Sequence, residues 1–90
     1  MNKWKHQVSI ASLHKQYQAG ELSPQELATS VASLLEIFIL PKFPYDFELE
    51  EIIGWFKDSE DINSINDYSN LLKELYDWAD DNRVWINCFE

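Results

Sequence analysis

Apolar residues recur at three- and four-residue spacing along most of this chain, and that periodicity limits the possible folds more than any other feature. It is clearest between "SPQEL" and Pro41. Ser23 is placed to cap a helix, Pro24 occupies the first helical position, and Glu26 stands third, where its side chain can return to the cap. Leu27, Val31, Leu34, Leu35 and Phe38 then fall on one side, and Pro41 stops the run. A shorter helix precedes it, with Ile10, Leu13 and Tyr17 in phase and Gly20 placed to close it in a left-handed conformation. A third is expected from about Asp46 to Lys57, with Leu49, Ile52, Ile53 and Phe56 inward and Gly54 either weakening it or admitting a close neighbour. A fourth runs from near Ser64 to about Asp81, with Asn82 ending it. The tail "RVWINCF" alternates Val84, Ile86 and Cys88 against Trp85 and Asn87. It is too short for periodicity to choose between a strand-like extension and another helical turn. Each helix has one apolar stripe, so packing four together buries them all. The expected fold is all-α, an antiparallel four-helix bundle with a short C-terminal extension, in a single domain over residues 1–90.

Charge narrows the choice of partners. Seven basic residues face sixteen acidic ones, a net charge of −9. Residues 1–43 hold four lysines against three glutamates, net +1. Residues 44–90 hold Lys57, Lys73 and Arg83 against thirteen acids, net −10. Such a field repels nucleic acid and anionic membrane and attracts a basic protein. Cys88 is the single cysteine, which fits a reducing compartment. The N-terminus lacks the apolar core and cleavage site of a signal peptide, and "IFIL" is too short to span a bilayer. A cytoplasmic protein is expected.

The acids are most densely mixed with aromatics in "LYDWADDNRVWI". On a helical projection, Tyr68, Leu71, Leu72, Leu75 and Ala79 share one side of helix four, while Asp67, Asn70, Glu74, Asp77 and Asp81 form a row on another. Trp78 lies on one border between the faces and Tyr76 on the opposite border. The row has a cost, because Asp77, Asp80 and Asp81 crowd a helix C-terminus where the macrodipole disfavours negative charge. Carboxylates that accept from Arg and Lys, edged by aromatics that supply buried area, have the chemistry of a protein-binding face. The partner-binding residues expected are therefore Asp67, Glu74, Asp77, Asp80, Asp81, Trp78 and Tyr76. The competing reading is a solvated face with Trp78 completing the core.

Catalytic chemistry has no support in the residues. His6 and His14 share a face only loosely, and no further ligand completes a metal site. Cys88 has no histidine near it in sequence. "DSEDINSINDYS" lacks the glycine and closing glutamate of a calcium loop. Gly20 and Gly54 are the only glycines, so there is no phosphate-cradling loop. "NKWKH" is too small a basic patch for nucleic acid. No enzyme activity, cofactor or metal is expected.

The stretch "LHKQYQAGELSPQELATSVASLL", followed by the apolar "LEEIIGWF" and an acidic last helix, resembles the small immunity proteins of the colicin D type and related inhibitors of contact-dependent toxins. Leu13, Tyr17, Gly20, Leu22, Ser23, Glu26 and Leu27 carry the resemblance, within about residues 10–80. It implies a helical bundle that binds a cytotoxic nuclease domain, an RNase or tRNase, with acidic groups standing in for RNA phosphates in the toxin's basic site. The four tryptophans and the aromatic tail with Trp85 and Phe89 exceed the family pattern. Two alternatives stand beside this one: an acidic phage-type mimic of nucleic acid that blocks a host nuclease or DNA-binding protein, and a helical adaptor whose acidity serves solubility.

Overall fold

The two ends of the described chain pair with each other. In the computed structural model, which describes residues 4–88, β1 (His6–Ser9) lies parallel to β2 (Val84–Asn87), with His6 opposite Val84 and Ser9 opposite Asn87. Parallel strands need a long crossover connection. Here the crossover is the entire helical body: α1 (Ala11–Gln18), α2 (Pro24–Leu34), α3 (Phe47–Lys57) and α4 (Ile65–Asp81). The expected all-α four-helix bundle is thus corrected to a small mixed domain, four α-helices with a two-stranded parallel sheet. The strands alternate as a half-buried sheet must. Val8, Val84, Ile86 and Cys88 turn into the core, while Gln7, Ser9 and Trp85 turn out.

Local chemistry sets most helix ends. Gly20, at φ 80°, follows α1, and its N–H bonds back to Tyr17 while that of Glu21 bonds to Gln16. That pair of reversed bonds satisfies the last carbonyls, and glycine adopts the conformation without steric penalty. Ser23 and Glu26 form the reciprocal cap, at 3.1 Å from Glu26 N–H to the hydroxyl and 3.0 Å from Ser23 N–H to the carboxylate. The Ser23 backbone N–H, and after it the Ser23 hydroxyl, hold the Glu26 carboxyl below the usual glutamate range. Asp46 caps α3 by accepting from Leu49 N–H, and Ser64 caps α4 by accepting from Asp67 N–H.

Helix two departs from expectation at its end. The helix widens into a π turn at Leu35–Ile39, where Leu40 N–H reaches Leu35, and tightens into a 3-10 turn at Leu40–Lys42. Five-residue spacing shifts the phase of the stripe. Phe38, expected inward, is 55% exposed, and Ile39 is buried in its place. In α3 the inward set is as expected: Leu49, Ile52, Ile53 and Phe56 are all buried. Gly54 is exposed with no close neighbour, so it does not serve close packing.

The buried residues form one cluster drawn from α2, α3, α4 and the inner face of the sheet. Trp78 is the largest of its fully buried side chains. Its ring meets Phe43 edge-on at 5.1 Å, and its indole N–H donates to the second Asp46 oxygen at 3.0 Å. Asp46 therefore caps α3 and anchors α4 at once. After α4, Asn82 returns its side-chain amide to the Trp78 carbonyl, and Arg83 turns the chain into β2 at φ 58°.

Candidate protein-binding face

The seven residues expected to bind a partner do not share one surface. Asp67 and Glu74 line a cleft of about 470 Å³ between α4, the end of α3 and the turn that follows it. Tyr76 and Asp80 line a second groove on the other flank of α4, beside β2. Asp77 and Asp81 are exposed on α4. Trp78, at 1% exposure, contributes nothing to any surface. Its place on the border of the apolar stripe resolves inward because the core offers its N–H an acceptor.

The α3–α4 cleft holds the larger concentration of chemistry. Trp55 and Leu71 supply apolar surface, and Asp58, Asp61, Asp67, Asn70 and Glu74 supply oxygens. Trp55 sits one position outside the apolar stripe of α3, which leaves it 39% exposed while Phe56 beside it is buried. Asp58 ends α3, and the 3-10 turn Ser59–Asp61 folds Asp61 back toward it. The Asp58 carboxyl is pushed up by a hydrogen bond with Asp61 and by repulsion from that group and from Glu60. Lys57, next in sequence, points away and pairs with Glu36 at 2.7 Å. Asp67 is half-buried and accepts from Asn63 N–H at 2.9 Å, which fixes its carboxylate at the start of α4. Ile62 is buried beneath the rim, its carbonyl taken by the Gln25 amide.

Trp55, Asp58 and Asp61 were not among the expected contacts. The sequence held one signal for them. "WFKDSED" puts a tryptophan off the apolar stripe and directly ahead of an acidic run, and a tryptophan with no core position is a candidate contact residue.

The groove beside β2, about 440 Å³, is mostly apolar, with Tyr76, Trp85 and Trp4 along it. Trp4 and Trp85 pack with ring centroids 5.3 Å apart. The Tyr76 hydroxyl meets the Cys88 thiol. Burial pushes both groups above their ordinary pKa values, with the thiol adding to the rise at Tyr76. Cys88 is therefore held as the thiol, which is not the nucleophilic form. His14 donates to or accepts from the Tyr68 hydroxyl at 2.7 Å and packs edge-on against that ring. Among the described residues no group of three or more His, Cys, Asp or Glu is placed to hold a metal ion. No helix among them is long and apolar enough to cross a membrane.

Comparison of this chain with known protein families, with curated proteins and with solved structures finds no match.

Proposed function

We propose that this chain is an immunity-type inhibitor, which binds a basic nuclease toxin domain in the cytoplasm and blocks its active site with the acidic cleft between α3 and α4. The observation that carries this reading is the acidic charge gathered at the cleft, which no lysine or arginine among the described residues lines. Asp58, Asp61, Asp67 and Glu74 surround an apolar patch with a half-exposed tryptophan, and the Asp58 carboxyl is pushed up by its hydrogen bond with Asp61 and by repulsion from Asp61 and Glu60. Such an arrangement is unfavourable in the free protein. A lysine or arginine inserted from a partner relieves it, and the Trp55 ring offers that cation a face on which to stack. Asp77 and Asp81 extend the negative field along α4 and speed encounter, while the buried contact at Trp55 slows release. The contact set is therefore revised. Asp67, Glu74, Asp77 and Asp81 stay in it, Trp55, Asp58 and Asp61 join it, Trp78 leaves because it is buried, and Tyr76 and Asp80 leave because they line the groove on the other flank of α4.

The test is a pull-down from the native organism with this chain as bait, at low and at high salt. Capture of a basic nuclease fragment, weakened by salt and by the double change Asp61→Lys with Glu74→Lys, is the expected result. Recovery of nothing basic, or capture indifferent to the double change, would sink the reading in favour of a helical adaptor.

A further inference from the structure

The sheet has a second consequence, because its β1 edge is open. Parallel pairing alternates the direction of backbone groups. The register, with Ile10 N–H bonded to Asn87 and His6 N–H to Arg83, turns the backbone of His6, Val8 and Ile10 toward β2. The N–H and C=O groups of Gln7 and Ser9 consequently point the other way. No further strand joins the sheet among the described residues, and no backbone hydrogen bond is made there by either residue outside the ladder. Both residues are exposed. Chains usually guard such an edge with lysine, proline or a bulge. Gln7, Val8 and Ser9 supply none of these.

Apolar surface flanks the open edge. Phe38 and Leu34 line a shallow groove of about 200 Å³ against Gln7, Val8 and Ser9. Phe38 is 55% exposed because the π turn shifts it off the inward stripe, and Ile37 beside it is 63% exposed. An unpaired backbone edge beside an apolar shelf fits an extended strand.

We propose that this strand is β1 of a second copy, paired antiparallel about a two-fold axis through Val8. In that register Gln7 faces Ser9 of the second copy and Ser9 faces its Gln7. These are the residues whose backbone groups point outward, so each pair exchanges both of its bonds, and Val8 meets Val8 at the non-hydrogen-bonded position between them. The two-fold stands perpendicular to the sheet. It leaves both helical layers on one face, where the two Phe38 shelves meet across the axis. Charge opposes self-association least on this side. The half of the sequence that carries β1 and Phe38 has a net +1, while residues 44–90 carry −10. It is β2 that packs on α4, so pairing through β1 keeps the acidic helices of the two copies apart and leaves both acidic clefts open. The inference does not depend on what those clefts bind.

Sedimentation equilibrium of the whole chain over a wide concentration range tests it, together with exchange of the Gln7 and Ser9 amides. The expected result is twice the chain mass at high concentration, with both amides protected only there. Gln7→Pro removes an outward donor and leaves the bonds to β2 in place. Phe38→Lys puts charge on the shelf without touching the strand. Each is expected to give a monomer with an unchanged far-ultraviolet circular dichroism spectrum. If Gln7→Pro unfolds the chain, Phe38→Lys decides the matter alone. A wild type that stays monomeric throughout would overturn the proposal, even if its edge captured a strand of another protein. So would a dimer that survives Phe38→Lys with the Gln7 and Ser9 amides still exchanging freely.

Discussion

Trp55 and Trp78 are the same residue type put to opposite uses, and the difference lies in what each indole N–H can reach. Trp78 donates to Asp46, which is 32 residues earlier, and fills the centre of the core. Periodicity located Trp78 on a border but did not name that acceptor, because only the packing of α4 on the start of α3 brings the two together. Trp78→Phe removes the N–H and leaves a half-buried carboxylate oxygen without its donor. Urea denaturation should show a loss of roughly 1–3 kcal/mol. Trp55→Ala removes surface that is already partly in water and should cost less, about 1 kcal/mol, while its effect on partner binding should be the larger of the two. His14 allows a second residue-scale prediction. Burial lowers its pKa below the ordinary 6.5, so as pH falls the unfolded chain takes up this proton before the folded chain does. Stability is retained above 6.5 and declines as pH drops from there to the folded value. His14→Gln, measured by thermal melting across that range, should remove this part of the decline and leave the melting temperature at higher pH nearly unchanged.

Element ends divide into those with a local cause and those without one. The Ser23–Glu26 cap, the closure at Gly20, the inward set of α3 and the span of α4 were all legible, because each is decided by residues within one or two turns. The strands were not. β1 and β2 are four residues each and are separated by the whole helical body, so neither has a sequence neighbour that reveals its partner. The alternation in the tail set Val84, Ile86 and Cys88 apart from Trp85, but whether those residues form a strand, which set faces inward and what the strand pairs with are decided only by the fold. The phase slip in the π turn was hidden too, since the residues from Leu35 to Pro41 would continue a regular helix without strain until the proline. Arg83 joins α4 to β2 in the left-handed region, at φ 58°. A β-branched residue is disfavoured there by clash of its side chain with the backbone. Arg83→Val should therefore destabilise by about 1–2 kcal/mol, whereas Arg83→Gly should be tolerated. Guanidinium unfolding of the two variants side by side separates backbone conformation from loss of the charge, since both remove the same cation.

At the scale of the molecule, the acidic charge acts in opposite directions on folding and on association. The candidate cleft was half legible: the row on α4 could be read from spacing, but the contributions of Trp55, Asp58 and Asp61 depend on α3 ending against α4. Within the free protein these carboxylates repel, and salt screens that repulsion over a Debye length of about 8 Å at physiological ionic strength. Stability should rise with salt for this reason. Binding of a basic partner draws on the same field and should weaken with salt. Asp58 gives the pH form of the argument. Its carboxyl is raised above the ordinary aspartate value of 3.8 by Asp61 and Glu60. The folded chain therefore holds this proton more tightly than the unfolded one. That favours folding at low pH, and the advantage is lost as pH rises through the folded value. Asp58→Asn keeps a hydrogen-bonding group and removes the charge. It should raise the melting temperature at neutral pH, with the difference from the wild type vanishing below about 3.8, where the native carboxyl is protonated as well. If the same substitution also weakens capture of the basic partner, then a group that destabilises the free fold contributes to the complex, as expected of a charge retained for binding. A variant that is more stable yet binds unchanged would instead assign the Asp58–Asp61 repulsion to the surface of the free protein alone.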